Sequence, residues 1–172
     1  MNFKELRTHV DRKSLLDRVY YKIGKQKYNF EVCTLYGSFG TEWKPYLLAQ
    51  ADESLMRVVN NRTILPNEIV LDIEDPEFFE DIFELIKKEF EYYHAYRTGS
   101  RGYHIHLFFD RDLSKDEKLL VIQKYGCDET KANQRSMIAL EGCPHWKTGN
   151  IKTLIKKRAG YNLAHNLPLA SW

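Results

Sequence analysis

The sequence has few cysteines and no long apolar segment, and both absences restrict what the chain can be. Its three cysteines, Cys33, Cys127 and Cys143, are odd in number and widely spaced among 172 residues. They form neither a disulfide framework nor a zinc-binding pattern, so we expect reduced thiols in a cytoplasmic protein. No apolar run approaches the roughly 20 residues of a membrane-spanning helix, and the N-terminal residues do not resemble a secretion signal. We therefore expect no membrane partner.

Internal repeats and low-complexity segments are also absent. The hydrophobic content of 43% and the charged content of 29% are ordinary for a folded protein. A chain of 172 residues is long enough to bury one substantial core. We predict a single domain over residues 1–172, with a motif-bearing core at about 66–158 and an N-terminal helical and strand segment at 1–65.

The net charge of +2 conceals an uneven distribution. Acidic side chains dominate residues 66–93, and basic side chains predominate on both sides of that range. An acidic centre between basic segments is compatible with metal-binding carboxylates surrounded by phosphate-binding groups. It is also compatible with an acidic helix that has a solvated face, so the charge distribution alone does not distinguish a metal site from a solvated helix.

Local patterns predict an α+β fold. Asp75 as N-cap and Pro76 at the first helical position predict a helix, along which apolar residues recur at helical spacing as far as Phe90. Ser114 caps a second helix that runs to about Tyr125. Further helices are predicted at 3–22 and 44–59, and strands at 28–36, 70–74, 92–97, 103–109, 136–140 and 152–156. Because short hairpin-like links alternate with crossovers, we expect a mixed or antiparallel sheet flanked by helices.

Residues 70–74 alternate apolar and acidic side chains. A period of two places Asp72 and Glu74 on the same face of a short strand. Adjacent carboxylates repel each other unless a cation lies between them, and Mg²⁺ or Mn²⁺ prefers oxygen ligands. Taken alone, the pair is better explained as a polar edge strand with solvated carboxylates. Other segments of the chain are needed to distinguish a metal-binding pair from solvated carboxylates.

A second candidate segment is the glycine-flanked turn at 99–102 and the strand that follows it. The turn offers backbone N–H groups, the hydroxyl of Ser100 and the guanidinium of Arg101, all suited to phosphate oxygens. His104 and His106 share one face of the strand, opposite two apolar side chains. A lone histidine there would be structural, but the preceding turn favours a functional role.

A third segment, residues 142–149, is rich in glycine and proline and contains His145, Lys147 and Thr148. These side chains could hold an anion, although an ordinary turn with exposed polar residues explains the segment alone. Between the second and third segments lies Asp128, in a helix-ending loop where an acidic residue needs no special reason.

Taken together, the order of these motifs resembles that of the archaeo-eukaryotic primase superfamily, which includes archaeal primase small subunits and primase-polymerases. Asp72 and Glu74 match its Asp-x-Glu motif. Residues 100–104 are similar to its Ser-Gly-x-x-Gly-x-His motif with a shortened turn. Residues 143–149 are similar to a late Ser-Leu-His-Gly-Lys-Thr-Gly segment of archaeal small subunits. The resemblance covers roughly residues 68–155, about half of the chain.

The sequence departs from the family pattern at several points. The third family motif is an Asp that closes an apolar strand, whereas the residues before Asp128 are poorly strand-like. Asp128 is assigned to the third motif because Arg135 follows it at about the spacing found in the family. Asn133 is the competing alignment, but an asparagine could not replace a carboxylate. Trp146 stands where the family has glycine, and the zinc-binding insertion of cellular primases is absent.

The resemblance implies an RRM-like catalytic core and nucleotidyl transfer from an NTP or dNTP to a 3′-hydroxyl on a single-stranded DNA template. It implies Asp72, Glu74 and Asp128 as catalytic ligands of two Mg²⁺ or Mn²⁺ ions. It also implies a grip on the triphosphate by Ser100, Arg101, His104, His145 and Lys147. A basic run is a candidate track for template phosphates, with a solvated strand edge as the alternative: Lys152, Lys156, Lys157 and Arg158. A large primase subunit or another replication protein is a further expected partner.

Two other functions remain open. A rolling-circle replication nuclease of the HUH type would place His104 and His106 on a metal and use Tyr125 or Tyr92 as nucleophile. That hypothesis leaves Asp72 and Glu74 unexplained, and substitution of His106 should separate it from a primase. The other alternative is a catalytically lapsed primase-like subunit that binds nucleic acid or a partner protein.

Overall fold

The acidic strand predicted from alternation is the edge of an antiparallel sheet. The structure is a computed structural model that describes residues 31–33, 46–47, 60–90, 93–109, 111–133, 136–142, 144–145 and 147–158. In these ranges the strands are β1 (Glu31–Cys33), β2 (Tyr46–Leu47), β3 (Asn61–Thr63), β4 (Glu68–Ile73), β5 (Tyr93–Arg97), β6 (Tyr103–Phe108), β7 (Met137–Ala139) and β8 (Thr153–Arg158). The α-helices are α1 (Phe79–Glu89) and α2 (Lys115–Lys124), and short 3₁₀ helices span Pro76–Phe78 and Glu129–Ala132.

The strands form two four-stranded sheets. The first sheet has the order β2-β1-β3-β7 and the second has the order β4-β6-β5-β8. Every strand pair in both sheets is antiparallel. Strands and helices are intermixed along the chain, so the fold is α+β, as the sequence predicts.

The two faces of the second sheet have different environments. Alternate residues of β4 and β6, such as Leu71 and Ile105, are fully buried in the main hydrophobic core with apolar residues of both helices. The other face contacts the first sheet, where Val70 packs with Ile64 and Ile138. The period of two therefore directs one set of apolar residues to the helices and leaves Glu68 and Asp72, with Val70, on the face towards the first sheet.

Helix α2 begins directly after the predicted cap Ser114, whereas α1 begins at Phe79, three residues after the predicted first position, Pro76. Asp75 accepts a hydrogen bond from the backbone N–H of Glu77, but the first turn after Pro76 is 3₁₀ rather than α-helical. Helix α1 then buries Phe79, Phe83 and Ile86 against the sheet. Ser114 and Glu117 form a reciprocal capping box at the start of α2, which satisfies two backbone donors.

One predicted helix is wrong where it can be compared with the structure. Residues 44–59 were expected to be helical, but Tyr46 and Leu47 form β2 and pair with Val32 and Glu31. The strand predicted at 28–36 is confirmed at Glu31–Cys33. The helix predicted at 3–22 lies outside the described residues.

Five buried ionisable side chains join the two sheets, and we call them the inter-sheet charge cluster: Arg62, Glu68, His106, Glu141 and Lys152. Arg62 donates to both carboxylates, with Nη1 at 2.7 Å from Glu68 Oε2 and Nη2 at 2.7 Å from Glu141 Oε1. Lys152 Nζ lies 3.4 Å from Glu141 Oε1 and donates to the backbone oxygen of Ala139 at 2.9 Å. Because each charge has an opposite partner, the cluster can be buried without leaving an uncompensated ion.

Among the described residues, no helix is long and apolar enough to cross a bilayer.

Candidate active site

Asp72 and Glu74 lie at the end of β4 and face a cleft of about 590 Å³ between the two sheets. Asp72 is half-buried within the strand, and Glu74 is exposed one residue beyond its end. The cleft is also lined by Asn61 and by residues 137–139 of the first sheet. Glu74 therefore remains accessible to solvent while Asp72 is partly withdrawn from it.

His104 is positioned beside Asp72 by the strand register. The two residues are direct partners in the β4–β6 ladder, and His104 Nε2 lies 3.4 Å from Asp72 Oδ1. Burial and the nearby charge of Lys152 lower the pKa of His104 and outweigh the opposing effect of Asp72, so its ring is neutral near pH 7. Its Nδ1 atom is buried and has no hydrogen-bond partner among the described residues. A donor from a ligand would satisfy that nitrogen.

Asp128 lies near Asp72, but a lysine stands between them. Asp128 precedes the 3₁₀ helix Glu129–Ala132, and its carboxylate accepts hydrogen bonds from the N–H and hydroxyl of Thr130. Lys131 Nζ lies 3.3 Å from Asp72 Oδ2 and 3.5 Å from Asp128 Oδ2. The third acidic residue therefore reaches the carboxylate region from a helical turn rather than from the end of a strand.

The charge around Asp72 is reflected in its acidity. Burial raises the pKa of Asp72, but the contact with His104 and the positive charge of Lys131 outweigh burial and lower this pKa to about 2. Burial likewise raises the pKa of Asp128, while Thr130 and Lys131 lower it overall. Both carboxylates are consequently ionised at neutral pH.

The two segments expected to bind phosphate lie against each other. Thr148 donates its hydroxyl to the backbone oxygen of Gly99 at 2.6 Å, which ties residues 145–150 to the turn between β5 and β6. A Cβ atom on Gly99 would lie 2.5 Å from the backbone oxygen of Asn150, so the two backbones approach closely. This contact places both segments on one side of the cleft.

The remaining predicted phosphate-binding side chains line that same cleft, together with Asp72, Glu74 and His104: Ser100, Arg101, His145 and Lys147. Ser100, Arg101 and Lys147 are exposed, and His145 is half-buried. Burial and the charge of Lys147 lower the pKa of His145. Two cationic side chains, Arg101 and Lys147, thus line the same solvent-accessible cleft as the carboxylates.

The structure differs from the expectation for Lys152. This side chain is only 1% exposed and belongs to the inter-sheet charge cluster, so it is not on the surface where a template would run. Burial lowers the pKa of Lys152 to about 8, although Glu141 opposes that change. Lys156 is exposed on β8. The side chains of Lys157 and Arg158 lie outside the described part of the chain.

Sequence reasoning missed Lys131, which lines the cleft beside Asp72 and Asp128. The spacing of three residues from Asp128 could have indicated it, since residues three apart lie on one side of a helical turn. Asn61 and Thr98 also line the cleft, and Thr98 donates its hydroxyl to Gly102 O at 3.0 Å. No local pattern marked these two residues.

The donor set fits a hard divalent cation in its chemistry. Asp72, Glu74 and Asp128 offer only carboxylate oxygens, which Mg²⁺ and Mn²⁺ prefer. The ammonium of Lys131 already provides positive charge between two of these carboxylates. In the described conformation, however, no three His, Cys, Asp or Glu side chains of the described residues converge on one metal position. A metal bound between Asp72 and Asp128 would take the position that the ammonium of Lys131 occupies.

No family model and no curated protein matches the sequence. The solved structures with a similar fold include two primases. The AEP domain of the primase-polymerase (PrimPol) of cyanophage S-2L matches with a TM-score of 0.67 and 14% identity, covering 90% of this chain and 95% of that chain. The primase RepB′ matches with a TM-score of 0.57 and 12% identity over 90% of this chain, which spans 58% of the RepB′ chain. These likenesses show a primase-like α+β fold.

Proposed function

We propose that this protein is a metal-dependent primase or primase-polymerase that acts on a single-stranded DNA template. The observation that supports this proposal most directly is the set of residues that line one cleft in a primase-like fold. Asp72 and Glu74 line it together with Ser100, Arg101, His145 and Lys147, and Lys131 contacts both Asp72 and Asp128. Carboxylates and cationic groups in one cleft are what nucleotidyl transfer from a triphosphate requires.

In the proposed reaction the 3′-oxygen of a growing strand forms a bond to the α-phosphorus of an NTP or dNTP. The bond from that phosphorus to the bridging oxygen breaks, pyrophosphate leaves, and the hydroxyl proton passes to solvent. Asp72, Glu74 and Asp128 would hold Mg²⁺ or Mn²⁺. When bound, the metal supplies electrostatic stabilisation of the phosphoryl oxygens and increases the acidity of the 3′-hydroxyl.

The other side chains of the cleft have complementary roles in this proposal. Arg101 offers a planar guanidinium for two phosphate oxygens, and Lys147 offers a mobile point charge, so the two are not interchangeable. Ser100 and His145 add neutral contacts. The unpartnered Nδ1 of neutral His104 can accept a hydrogen bond from a bound nucleotide or water. Lys156, with Lys157 and Arg158, remains our candidate contact for template phosphates.

The structure makes a rolling-circle nuclease a weaker hypothesis. That enzyme needs both His104 and His106 on a metal, but His106 is fully buried, with Nδ1 at 2.6 Å from Glu68 Oε1 and Nε2 at 3.1 Å from Lys152 Nζ. Substitution of His106 would also disturb the inter-sheet charge cluster. Loss of activity in such a variant no longer separates the two functions.

The proposal is tested by incubating the purified protein with unprimed single-stranded DNA, labelled NTPs or dNTPs, and Mg²⁺ or Mn²⁺. We expect labelled products from the wild type and about 100-fold less from Asp72→Asn, because several kcal/mol of charge stabilisation would be lost. Asp116→Asn, on the exposed side of α2, is the matched control and should retain activity.

Absence of products from the wild type on both unprimed and primed templates would overturn the enzymatic proposal. Single-stranded DNA binding without synthesis would then support the catalytically lapsed alternative. Full activity of Asp72→Asn would instead refute the assignment of the site while leaving the reaction standing.

A further inference from the structure

Lys131 lies between two of the three carboxylates to which the proposed function assigns a metal, Asp72 and Asp128. Its ammonium contacts Asp72 Oδ2 at 3.3 Å and Asp128 Oδ2 at 3.5 Å, and its side chain is 16% exposed. The flexible four-carbon stem of lysine allows its ammonium to move several ångströms without any change in the backbone. The residue is therefore both a present partner of the carboxylates and a mobile one.

We propose that Lys131 is the resident cation of this site, displaced by the divalent metal and then available to the triphosphate. The inference rests on the proposed function. Before the metal binds, the ammonium neutralises the repulsion between Asp72 and Asp128 and keeps them close together. Once the metal occupies that position, like-charge repulsion moves the ammonium into the cleft that Lys131 already lines.

The surroundings of Lys131 support an exchange rather than a permanent ion pair. Both contacts are longer than the 2.7 Å that joins Arg62 Nη1 to Glu68 Oε2 in the inter-sheet charge cluster. Moreover, Lys131 opens onto the cleft, whereas Arg62 and Glu68 are completely buried. Because Lys131 lines the cleft, solvent or the oxygens of a bound phosphate could replace its contacts with the two carboxylates.

The exchange predicts opposite changes in two binding measurements. Lys131→Met keeps the apolar stem and removes the charge, so we expect it to bind Mn²⁺ about 2- to 30-fold more tightly than the wild type, because two ion pairs no longer have to break. The same variant should bind a non-hydrolysable nucleoside triphosphate more weakly when Mn²⁺ is saturating. Lys131→Arg retains the charge and should resemble the wild type in the Mn²⁺ titration.

Lys147→Met is the matched control, since it removes a second lysine that lines the same cleft. It should weaken triphosphate binding but change Mn²⁺ affinity by less than about twofold at moderate salt. Isothermal titration calorimetry gives both affinities, and thermal unfolding in EDTA verifies that each variant is folded.

The failures of the two proposals are distinguishable. Equal Mn²⁺ affinities of wild type and Lys131→Met, with weaker binding by Asp72→Asn, would overturn the role of Lys131 and leave the metal site intact. Absence of Mn²⁺ binding in both wild type and Lys131→Met would overturn both proposals. Unchanged triphosphate binding by a folded Lys131→Met would refute the proposal that the displaced Lys131 contacts the triphosphate.

Discussion

At the scale of single residues, His106 lies in the inter-sheet charge cluster with a strongly lowered pKa. Burial and the charge of Lys152 lower its pKa to about 3, against the opposing effect of the glutamates. A neutral ring with its proton on Nδ1 donates to Glu68 Oε1 and accepts from Lys152 at Nε2, which satisfies both nitrogens. A second proton would face the lysine ammonium directly. The folded state therefore excludes the imidazolium form.

This exclusion predicts a specific pH dependence of stability. Between about pH 6.5 and pH 3 the unfolded chain binds a proton at His106 that the folded protein does not, so the free energy of unfolding falls as the pH is lowered. His106→Gln should reduce the slope by up to about 1.4 kcal/mol per pH unit. Urea unfolding at several pH values between pH 5 and pH 7 measures how the free energy of unfolding changes with pH.

His145→Gln is the control for this experiment, because the half-buried His145 should contribute less to the slope. A slope in His106→Gln that equals that of the wild type would show that the buried ring is protonated in the folded state.

At the scale of elements, the turn between β5 and β6 is packed directly against the end of β4. A Cβ atom on Gly102 would lie 2.3 Å from the backbone oxygen of Ile73, which is closer than real Cβ contacts occur. Ile73 is adjacent to both Asp72 and Glu74. The absence of a side chain at Gly102 therefore allows the proposed phosphate-binding turn to lie beside the proposed metal ligands.

Gly102→Ala should force the turn away from β4. We expect the free energy of unfolding to fall by about 1–3 kcal/mol, as for other overpacked sites, and triphosphate binding to weaken. Chemical unfolding and nucleotide titration measure the two effects. Gly126→Ala meets open space at a left-handed backbone position, so it should lose some stability without any loss of nucleotide binding. Equal nucleotide affinities of Gly102→Ala and wild type would contradict this account.

The elements that the sequence predicts well are those whose signals are local. Strand β4 follows from alternation, and α2 follows from the Ser114 cap, because each signal is contained within a few residues. Strand β2 was missed because Tyr46 and Leu47 are held by pairing with β1, a contact that no local pattern contains. The 3₁₀ helix Glu129–Ala132, which carries Lys131, has only four residues and therefore no recognisable hydrophobic period. Lys131 was missed for that reason.

The same distinction applies to the candidate site. The order of motifs predicted metal binding by Asp72 and Glu74 and phosphate binding by the two loops, and in the structure these residues line one cleft. Whether these side chains bind metal and nucleotide stays a prediction. Lys152 was expected on the surface because it begins a basic run, yet its partners His106 and Glu141 lie far from it in sequence. Their attraction is visible only once the two sheets are in place.

At the scale of the molecule, the inter-sheet charge cluster fixes how the two halves of the cleft face each other. Arg62 is contributed by the first sheet and contacts Glu68 of the second sheet, while Lys152 contacts Ala139 of the first sheet. These hydrogen bonds depend on direction, so they specify the relative position of the sheets more narrowly than apolar contacts could.

Removal of Arg62 should be costly because it leaves two buried carboxylates facing each other. For Arg62→Met we expect a loss of about 3–5 kcal/mol in the free energy of unfolding, measured by urea denaturation at pH 7. Arg111→Met is the matched control, since Arg111 also bonds both oxygens of a glutamate, Glu117, but does so at the surface. It should cost about 1 kcal/mol or less. Similar losses in both variants would show that the buried Arg62 stabilises the fold no more than the surface Arg111 does.

The inter-sheet charge cluster also constrains how the sequence can drift. Its five members are Arg62, Glu68, His106, Glu141 and Lys152, and each one depends on at least one other for a buried partner. Loss of Arg62 or Glu141 therefore leaves a buried charge without its ion-pair partner until a second position changes as well. Over generations these distant positions should be inherited as a set, exchanged for apolar side chains together or kept together, while exposed positions such as Lys156 vary independently.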